Sequence, residues 1–362
     1  MISICSPQLG LSLESNSGGE VYDREVLTHL TQQNIKIHVL LPRGRTFPQA
    51  KNLHIKQTLI RPMIPPYIFN LFVLPYLLKT YFFHKFDLLR VHNPYFVGPA
   101  ALIFKKLFPK IPLVLSHLHL EDGFNRLIDQ ATINQYDHII TISNSTKQEI
   151  IDNFSYPASK ISVAYPGVDK KFQPAKYPKK NKKTTLLFLG GLKPRKNLIF
   201  LLKLLKSLNN KNIKLVFAGT GPLLGKLKNK TAELNLQNQV EFLGFIPEKD
   251  KVKVYQSADI LLLPSLKEGF GMTITEAAAC GIPAIGADHY SIKEIIQDNK
   301  TGLLAKPNDL NDWKEKTLQL IKSDKLRKQM GAQVQKHVRK TFSWQKNIDI
   351  HLKVFKKLTK NK

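Results

Sequence analysis

The chain has 362 residues, with 55 Lys and Arg against 27 Asp and Glu for a formal net charge of +28, and 43% of it is hydrophobic. That apolar fraction excludes global disorder, and the length suits two domains at about 100–200 residues each. Only Cys5 and Cys280 are present, in separate apolar segments, which excludes a disulfide framework and points to a reducing, cytoplasmic compartment. The charge leaves open nucleic acid, an anionic membrane surface, anionic small substrates, or plain solvated helix faces.

The N-terminal Met1–Cys5 lacks a basic segment and reads as an opening strand, not a signal peptide. Strand-like runs follow at Ile35–Leu41, Leu53–Ile60, Asp87–Val91, Leu113–Ser116, His138–Ile142 and Ile161–Ala164. Helical patterns separate several of them, at Glu20–Gln33, Val97–Phe108 and Ser145–Phe154, and this alternation predicts βαβ units on a parallel sheet. Ile64–Phe83 is long enough to span a bilayer, but it carries Pro65, Pro66, Pro75, Asn70 and Lys79 and reads as a buried or interfacial helix.

Periodicity then stops between Pro166 and Lys183, a stretch with Pro174, Pro178 and a Lys run that reads as a linker. Alternation restarts at Thr185–Leu189, with further strands expected at Lys214–Ala218, Val240–Leu243, Ile260–Leu263 and Ala284–Ile285. The fold class is therefore α/β, with two Rossmann-like, doubly wound parallel-sheet domains. The domains divide as residues 1–168, a linker at 169–184, residues 185–340, and a C-terminal helix at 341–362 that can cross back to the first domain. Ligands of such sheets bind at the carboxyl ends of strands, so the default site is a cleft between the domains.

The segment that carries most chemistry is Glu268-Gly269-Phe270-Gly271-Met272-Thr273-Ile274-Thr275-Glu276, which follows an apolar run and opens a helix. Glycines and unpaired amides at a helix N-terminus form an anion site. Seven residues separate the two glutamates, so they act on different groups: phosphate on the Gly269–Thr273 backbone, sugar and ribose hydroxyls on the carboxylates. At Gly190–Asn197 a glycine turn brings Arg195 and Lys196 to a strand end, a fork and a point charge suited to a diphosphate.

The Glu268 to Glu276 spacing with Gly-Phe-Gly between resembles the retaining glycosyltransferases of family 4. Other elements of that family follow in order. Asn144-Ser145-Thr146 resembles its Ser-x-x-Thr segment, Tyr165–Asp169 its hinge, Gly190–Asn197 its phosphate loop and Ala218–Leu223 its Gly-x-Gly-Pro turn. The sequence departs at Gly191, where many relatives carry Arg. The resemblance implies the GT-B fold and sugar transfer from a nucleoside-diphosphate sugar, UDP-sugar ahead of GDP-sugar, to an acceptor hydroxyl with retention. It further implies a place in cell-envelope glycan, lipopolysaccharide or glycolipid synthesis. It assigns Glu268 and His117 to catalysis and Gly18, Gly19, His119, Gly190, Arg195, Lys196, Gly221, Gly269, Phe270, Gly271, Met272, Thr273 and Glu276 to substrate binding. In that scheme Glu276 holds the ribose and Glu268 orients the donor sugar. Two histidines after the strand Leu113–Ser116 leave the sugar-contacting residue open between His117 and His119.

No cofactor is implied. A metal at His117, His119 and Glu121 lacks a second carboxylate or a cysteine, and the family stabilises its leaving diphosphate without one. Other GT-B chemistries, such as epimerase or phosphorylase, and a binding-only relative are alternatives. A nucleic-acid partner is disfavoured, because the cations are mostly Lys and no recognition motif is present.

The charge itself is uneven. Residues 1–174 carry 18 basic and 12 acidic residues, and residues 175–362 carry 37 and 15. Between Glu25 and Asp87 there is no acid, while Arg43, Arg45, Arg61, Lys79 and Lys85 lie there beside Tyr76, Tyr81, Phe82 and Phe83. Cations among aromatics suit an anionic membrane interface, which suggests peripheral docking on the cytoplasmic face near a glycan or lipid-linked acceptor.

Overall fold

The computed structural model describes all residues except 9–17, 46, 48, 60–67, 93, 119–123, 177–182, 290 and 361–362. In chain order, the first elements are β1 (Ile2–Pro7), α1 (Gly18–Thr31), β2 (Ile35–Leu41), β3 (Leu53–Gln57), α2 (Ile68–His84), β4 (Leu88–His92) and α3 (Pro94–Leu107). Next come β5 (Leu113–His117), α4 (Phe124–Thr132), β6 (His138–Thr141), α5 (Asn144–Phe154) and β7 (Ile161–Val163). A second series has β8 (Thr184–Leu189), α6 (Leu198–Leu208), β9 (Ile213–Ala218), α7 (Leu224–Glu233), β10 (Val240–Gly244), α8 (Lys251–Ser257) and β11 (Ile260–Leu263). It continues through α9 (Met272–Ala279), β12 (Ala284–Ala287), α10 (Ile292–Ile295), β13 (Gly302–Ala305), α11 (Leu310–Lys322) and α12 (Asp324–Thr341), and the chain closes on α13 (Trp344–Thr359).

Two units result: Met1–Pro166 with Trp344–Lys362, and Gly167–Ser343. Each is built on one parallel sheet, ordered β3-β2-β1-β4-β5-β6-β7 in the first and β10-β9-β8-β11-β12-β13 in the second. In both, the chain starts in the middle, builds outward to one side, then jumps back to build the other. The order reverses beside the starting strand, between β1 and β4 and between β8 and β11, and loops at such switch points diverge to leave a crevice at the strands' carboxyl ends. The short strand Gly302–Ala305 was not anticipated, since four residues beginning with Gly show no strand periodicity.

The expected linker is partly integral to the second unit. Phe172 is buried with its ring 5.9 Å from that of Tyr255, and Arg339 donates to the carbonyls of Asp169 and Phe172. Residues 177–182 of the Lys run lie outside the described residues.

In the first unit the strands alternate between two different faces. Cys5, Leu89, Val91, Leu113 and Leu115 join residues of α2, α3 and α5 in an apolar core. The alternate positions Ser6, Arg90, His92 and Ser116 meet α1 instead. The fully buried Arg90 pairs with the fully buried Asp23 of α1 and donates to Ser6 Oγ (3.3 Å) and Ser116 Oγ (3.0 Å). His92 Nδ1 lies 3.1 Å from the same carboxylate. Burial pushes the Asp23 carboxyl up, but Arg90 and His92 outweigh it and hold it well below the usual range. Helix α13 packs on α1 and β7 and closes this seam: Asn347 donates to the carbonyls of Ala164 (2.9 Å) and Tyr165 (2.8 Å).

Removing one member of a buried ion pair strands the other charge, so Asp23→Ala is expected to cost about 3–5 kcal/mol of stability at neutral pH. A urea-unfolding midpoint close to wild type would show that Arg90 finds another partner.

Candidate active site

The second unit's switch point is where its expected site residues meet. After β8 the chain makes a turn at Gly190 and a 3-10 turn at Pro194–Lys196, then enters α6. After β11 it runs through Pro264–Gly271 into α9, with Gly271 at φ +103°, a left-handed conformation in which only glycine is unstrained. The two loops are latched together. Leu266 N–H donates to the Arg195 carbonyl (2.8 Å), Arg195 Nη1 donates to the Lys267 carbonyl (2.9 Å), and Lys196 Nζ forms an ion pair with Glu268 Oε2. Arg195 Nη1 lies 3.7 Å from the same oxygen.

Electrostatics follow from this enclosure. Burial pushes the Lys196 ammonium below its ordinary value, while Glu268 works to keep it charged. Burial raises the Glu268 carboxyl, but Lys196 and Arg195 outweigh it and hold it below its ordinary value. Ser291 reaches the carbonyls of Glu268 (3.1 Å) and Phe270 (3.0 Å), fixing the loop from the far side. Among the described residues the first-turn amides of Met272 and Thr273 have no acceptor, as expected of donors at a helix start.

Glu276 lies one turn further into α9 and is 7% exposed. The Tyr255 hydroxyl donates to its Oε2 at 2.6 Å, and Lys251 Nζ lies 3.6 Å from its Oε1. Lys251 and Tyr255 are four residues apart on one face of α8, and Lys251 also pairs with Glu248 at 2.8 Å. Burial raises the Glu276 carboxyl above its ordinary value despite Lys251 and Tyr255.

The glycines divide in role. A Cβ at Gly219 would lie 2.0 Å from the Gly190 carbonyl oxygen, and one at Gly221 2.6 Å from that of Leu192. Both permit the β8 and β9 loops to run together, with Gly190 N–H donating to Ala218 O and Leu192 N–H to Thr220 O, each at 2.9 Å. Gly221 thus shapes the phosphate-loop candidate from behind. Phe270 is also a packing residue: its ring is buried 5.2 Å from that of Phe342, so only its backbone is available to a ligand.

In the first unit, Gly18 and Gly19 are the opening residues of α1 and not a loop. A Cβ at Gly19 would come within 2.9 Å of Leu118 Cδ1, so this helix start abuts the segment after β5. His117 is the last residue of β5, in phase with Leu113 and Leu115, and is buried toward α4, where its Nε2 lies 3.7 Å from Asp129 Oδ2. That departs from the expected loop position. Neither ring nitrogen nor either Asp129 oxygen makes a hydrogen bond among the described residues. His119, Glu121 and Ser17 lie outside the described residues. Ser143 caps α5 by accepting from Thr146 N–H (3.0 Å), which makes Ser143 to Thr146 the Ser-x-x-Thr unit. Among the described residues no three His, Cys, Asp or Glu side chains gather as metal ligands.

Sequence reasoning missed the partners Lys251, Tyr255, Ser291 and Asp129. Only the Lys251/Tyr255 spacing on one helix face offered a signal.

Residues 169–337 match the model for glycosyl transferases group 1, and residues 16–172 match that for Glycosyltransferase Family 4, so together they span most of the chain. The chain belongs to this glycosyltransferase family. An uncharacterized glycosyltransferase of Methanocaldococcus jannaschii is 29% identical over 90% of this chain and 91% of that protein. O-antigen chain mannosyltransferase B of Escherichia coli is 28% identical over 63% of this chain and 61% of that protein. Among solved structures, sucrose-phosphate synthase from Thermosynechococcus elongatus matches with a TM-score of 0.89 at 15% identity over all of both chains. Anabaena HepE, solved with UDP and glucose, matches at 0.80 and 16% over 99% of this chain and 100% of that one. The fold is that of these GT-B enzymes, and this glycosyltransferase is a transferase.

The raised carboxyl of Glu276 has a thermodynamic consequence. Its folded-state value exceeds the unfolded one, so the ionised form costs stability at neutral pH, and that cost disappears as pH falls to the ordinary value of 4.5. Glu276→Gln, which keeps an acceptor for Tyr255, is expected to raise the unfolding midpoint at pH 7 and to show a smaller gain at pH 5. A gain independent of pH, or no gain, would contradict this.

Proposed function

We propose that this glycosyltransferase moves a sugar from a nucleoside-diphosphate sugar to an acceptor hydroxyl, with retention, in the synthesis of a cell-envelope glycan or glycolipid. The observation that carries the reading is the convergence of Lys196, Arg195 and Glu268 at the switch point between β8 and β11, beside the first-turn amides of α9. Cleaving the sugar–phosphate bond builds negative charge on the leaving diphosphate, and fixed donors at that position lower the barrier. Lys196 supplies the point charge, Arg195 a fork, and Met272 and Thr273 the amide donors. No nucleophile–acid carboxylate pair of the hydrolase kind is needed, because the departing phosphate takes the acceptor proton on the same face.

Glu276 accepts from the ribose hydroxyls. Tyr255 uses one of its lone-pair positions, and several remain. Glu268 exchanges part of its contact with Lys196 for donor-sugar hydroxyls once the diphosphate arrives. Burial of His117 against Asp129 favours His119 for the remaining sugar contact. A UDP-sugar is the first donor to test, supported by HepE having been solved with UDP and with UDP-glucose, and a GDP-sugar the next. No cofactor or metal enters this scheme.

Losing one fixed donor to a developing oxyanion typically costs about 10²- to 10³-fold in rate. Lys196→Ala and Glu276→Ala are each expected to lower donor-dependent transfer by about that factor, assayed with the donor that most raises the unfolding temperature among UDP-, GDP- and ADP-sugars. A donor at 100 times its dissociation constant adds about 2.7 kcal/mol. Near-normal transfer by either variant would remove that residue from the mechanism, and no stabilisation by any of the sugars would count against nucleotide-sugar chemistry.

A further inference from the structure

Helices α2 and α3 pack side by side on the apolar face of the first sheet, and their outer surfaces are unusual. On α2 the inward positions are Val73, Leu77 and Thr80, and the outward stripe is Phe72, Pro75, Lys79, Phe82 and Phe83. Phe82 is 60% exposed and Phe83 73%. On α3 the outward positions include Ile103, Lys106 and Leu107, the last 57% exposed. The rings of Phe82 and Phe108 meet edge-on at 5.9 Å and join the two stripes into one patch. Lysines rim it and lie against its rings: Lys79 Nζ is 5.9 Å from the Phe83 ring centre, and Lys85 Nζ is 5.2 Å from that of Phe82.

The two helices carry charge of one sign, and the acid that reaches α3 from outside them, Asp137, is paired with Lys105 Nζ at 2.8 Å. Neither α2 nor α3 contains an acid, and Asp87 is the single acid between Val26 and Leu120, a stretch with twelve Lys and Arg. Asp87 is half-buried and is tied to the sheet by the Ser3 backbone N–H, which donates to it at 2.9 Å. A protein partner with a complementary apolar surface would not require this lack of acids over so long a stretch, whereas an anionic lipid surface selects against them. Exposed aromatics among flexible lysines suit an interface in which rings enter the headgroup layer and ammonium groups remain at lipid phosphates. Among the described residues no helix is long and apolar enough to cross a membrane, so the contact is a lateral one.

We propose that the α2–α3 face docks the first unit on an anionic lipid bilayer, with Phe82, Phe83 and Leu107 entering the headgroup region. This places the contact on helix surfaces and not on the basic loop with Arg43 and Arg45; Arg61 lies outside the described residues. The inference stands apart from the transfer chemistry, since it needs neither donor nor acceptor.

The test is sedimentation of the full-length protein with vesicles of phosphatidylcholine alone and of equimolar phosphatidylcholine and phosphatidylglycerol, at low and high salt. Binding is expected only to the anionic vesicles and is expected to weaken with salt. The double variants Phe82→Ser/Phe83→Ser and Lys79→Glu/Lys106→Glu are each expected to reduce binding at least about tenfold. Lys226→Glu/Lys228→Glu on α7, which makes the same change in net charge, is expected to bind as wild type. Equal binding to both vesicles, or equal loss in the α7 control, would overturn the proposal. So would light scattering that shows a dimer dissociated by Phe82→Ser/Phe83→Ser, since the patch would then cover a second copy of this chain.

Discussion

A lysine and a glutamate largely withdrawn from water, Lys196 and Glu268, each with 12% of its side chain exposed, fix the geometry of the second unit's site. Taking either charge out of water alone would cost several kcal/mol, so the two loops that carry them must come together. Their approach places the Pro194–Lys196 turn beside the start of α9 and sets Arg195 across Lys267. The position follows from topology, because β8 and β11 are the neighbours between which the sheet reverses its winding. Glycine backbones complete the arrangement: Gly219 and Gly221 let the β9 loop lie against the β8 loop from behind.

The same pair accounts for how a site rich in cations can be stable before an anion arrives. Glu268 stands in for the negative charge that a diphosphate would bring and opposes the pull of burial on the Lys196 ammonium, which still lies below its ordinary value. Glu276 is held differently, by Tyr255 and Lys251 from α8, and its raised carboxyl marks an acceptor whose charge is costly until it is given further donors. Perturbed groups of opposite kind within one short segment are common where binding and chemistry are concentrated. The first unit uses charge for another purpose. Arg90 and Asp23 bind a sheet face to α1, and α13 covers the seam from the far end of the chain.

Much of this was legible in the sequence. Alternating strand and helix patterns located most elements, because parallel strands buried on both sides are continuous apolar runs such as Ile260–Leu263. Glu268, Gly271 and Glu276 were legible because glycine at a helix start and carboxylates at fixed spacing are local signals. Other features depend on contacts far apart in sequence. Nothing near His117 shows that strand phase turns it toward Asp129, and nothing near Phe270 shows that Phe342 receives its ring. Nothing near Gly221 shows that its missing Cβ makes room for the Leu192 carbonyl. The net charge of +28 was the least specific clue, since it sums Arg195 and Lys196 at the switch point, an acid-free aromatic surface and Lys-rich helices.

If Lys196 is the point charge for a donor's diphosphate, it distinguishes a nucleoside diphosphate from the monophosphate, and calorimetric titration with the two tests this most directly. The wild-type protein should bind the diphosphate of its preferred base at least about tenfold more tightly than the monophosphate, the scale of one charge-assisted contact. Lys196→Ala should bind the two almost equally while keeping its affinity for the monophosphate. A variant that retains the full preference for diphosphate would contradict the account.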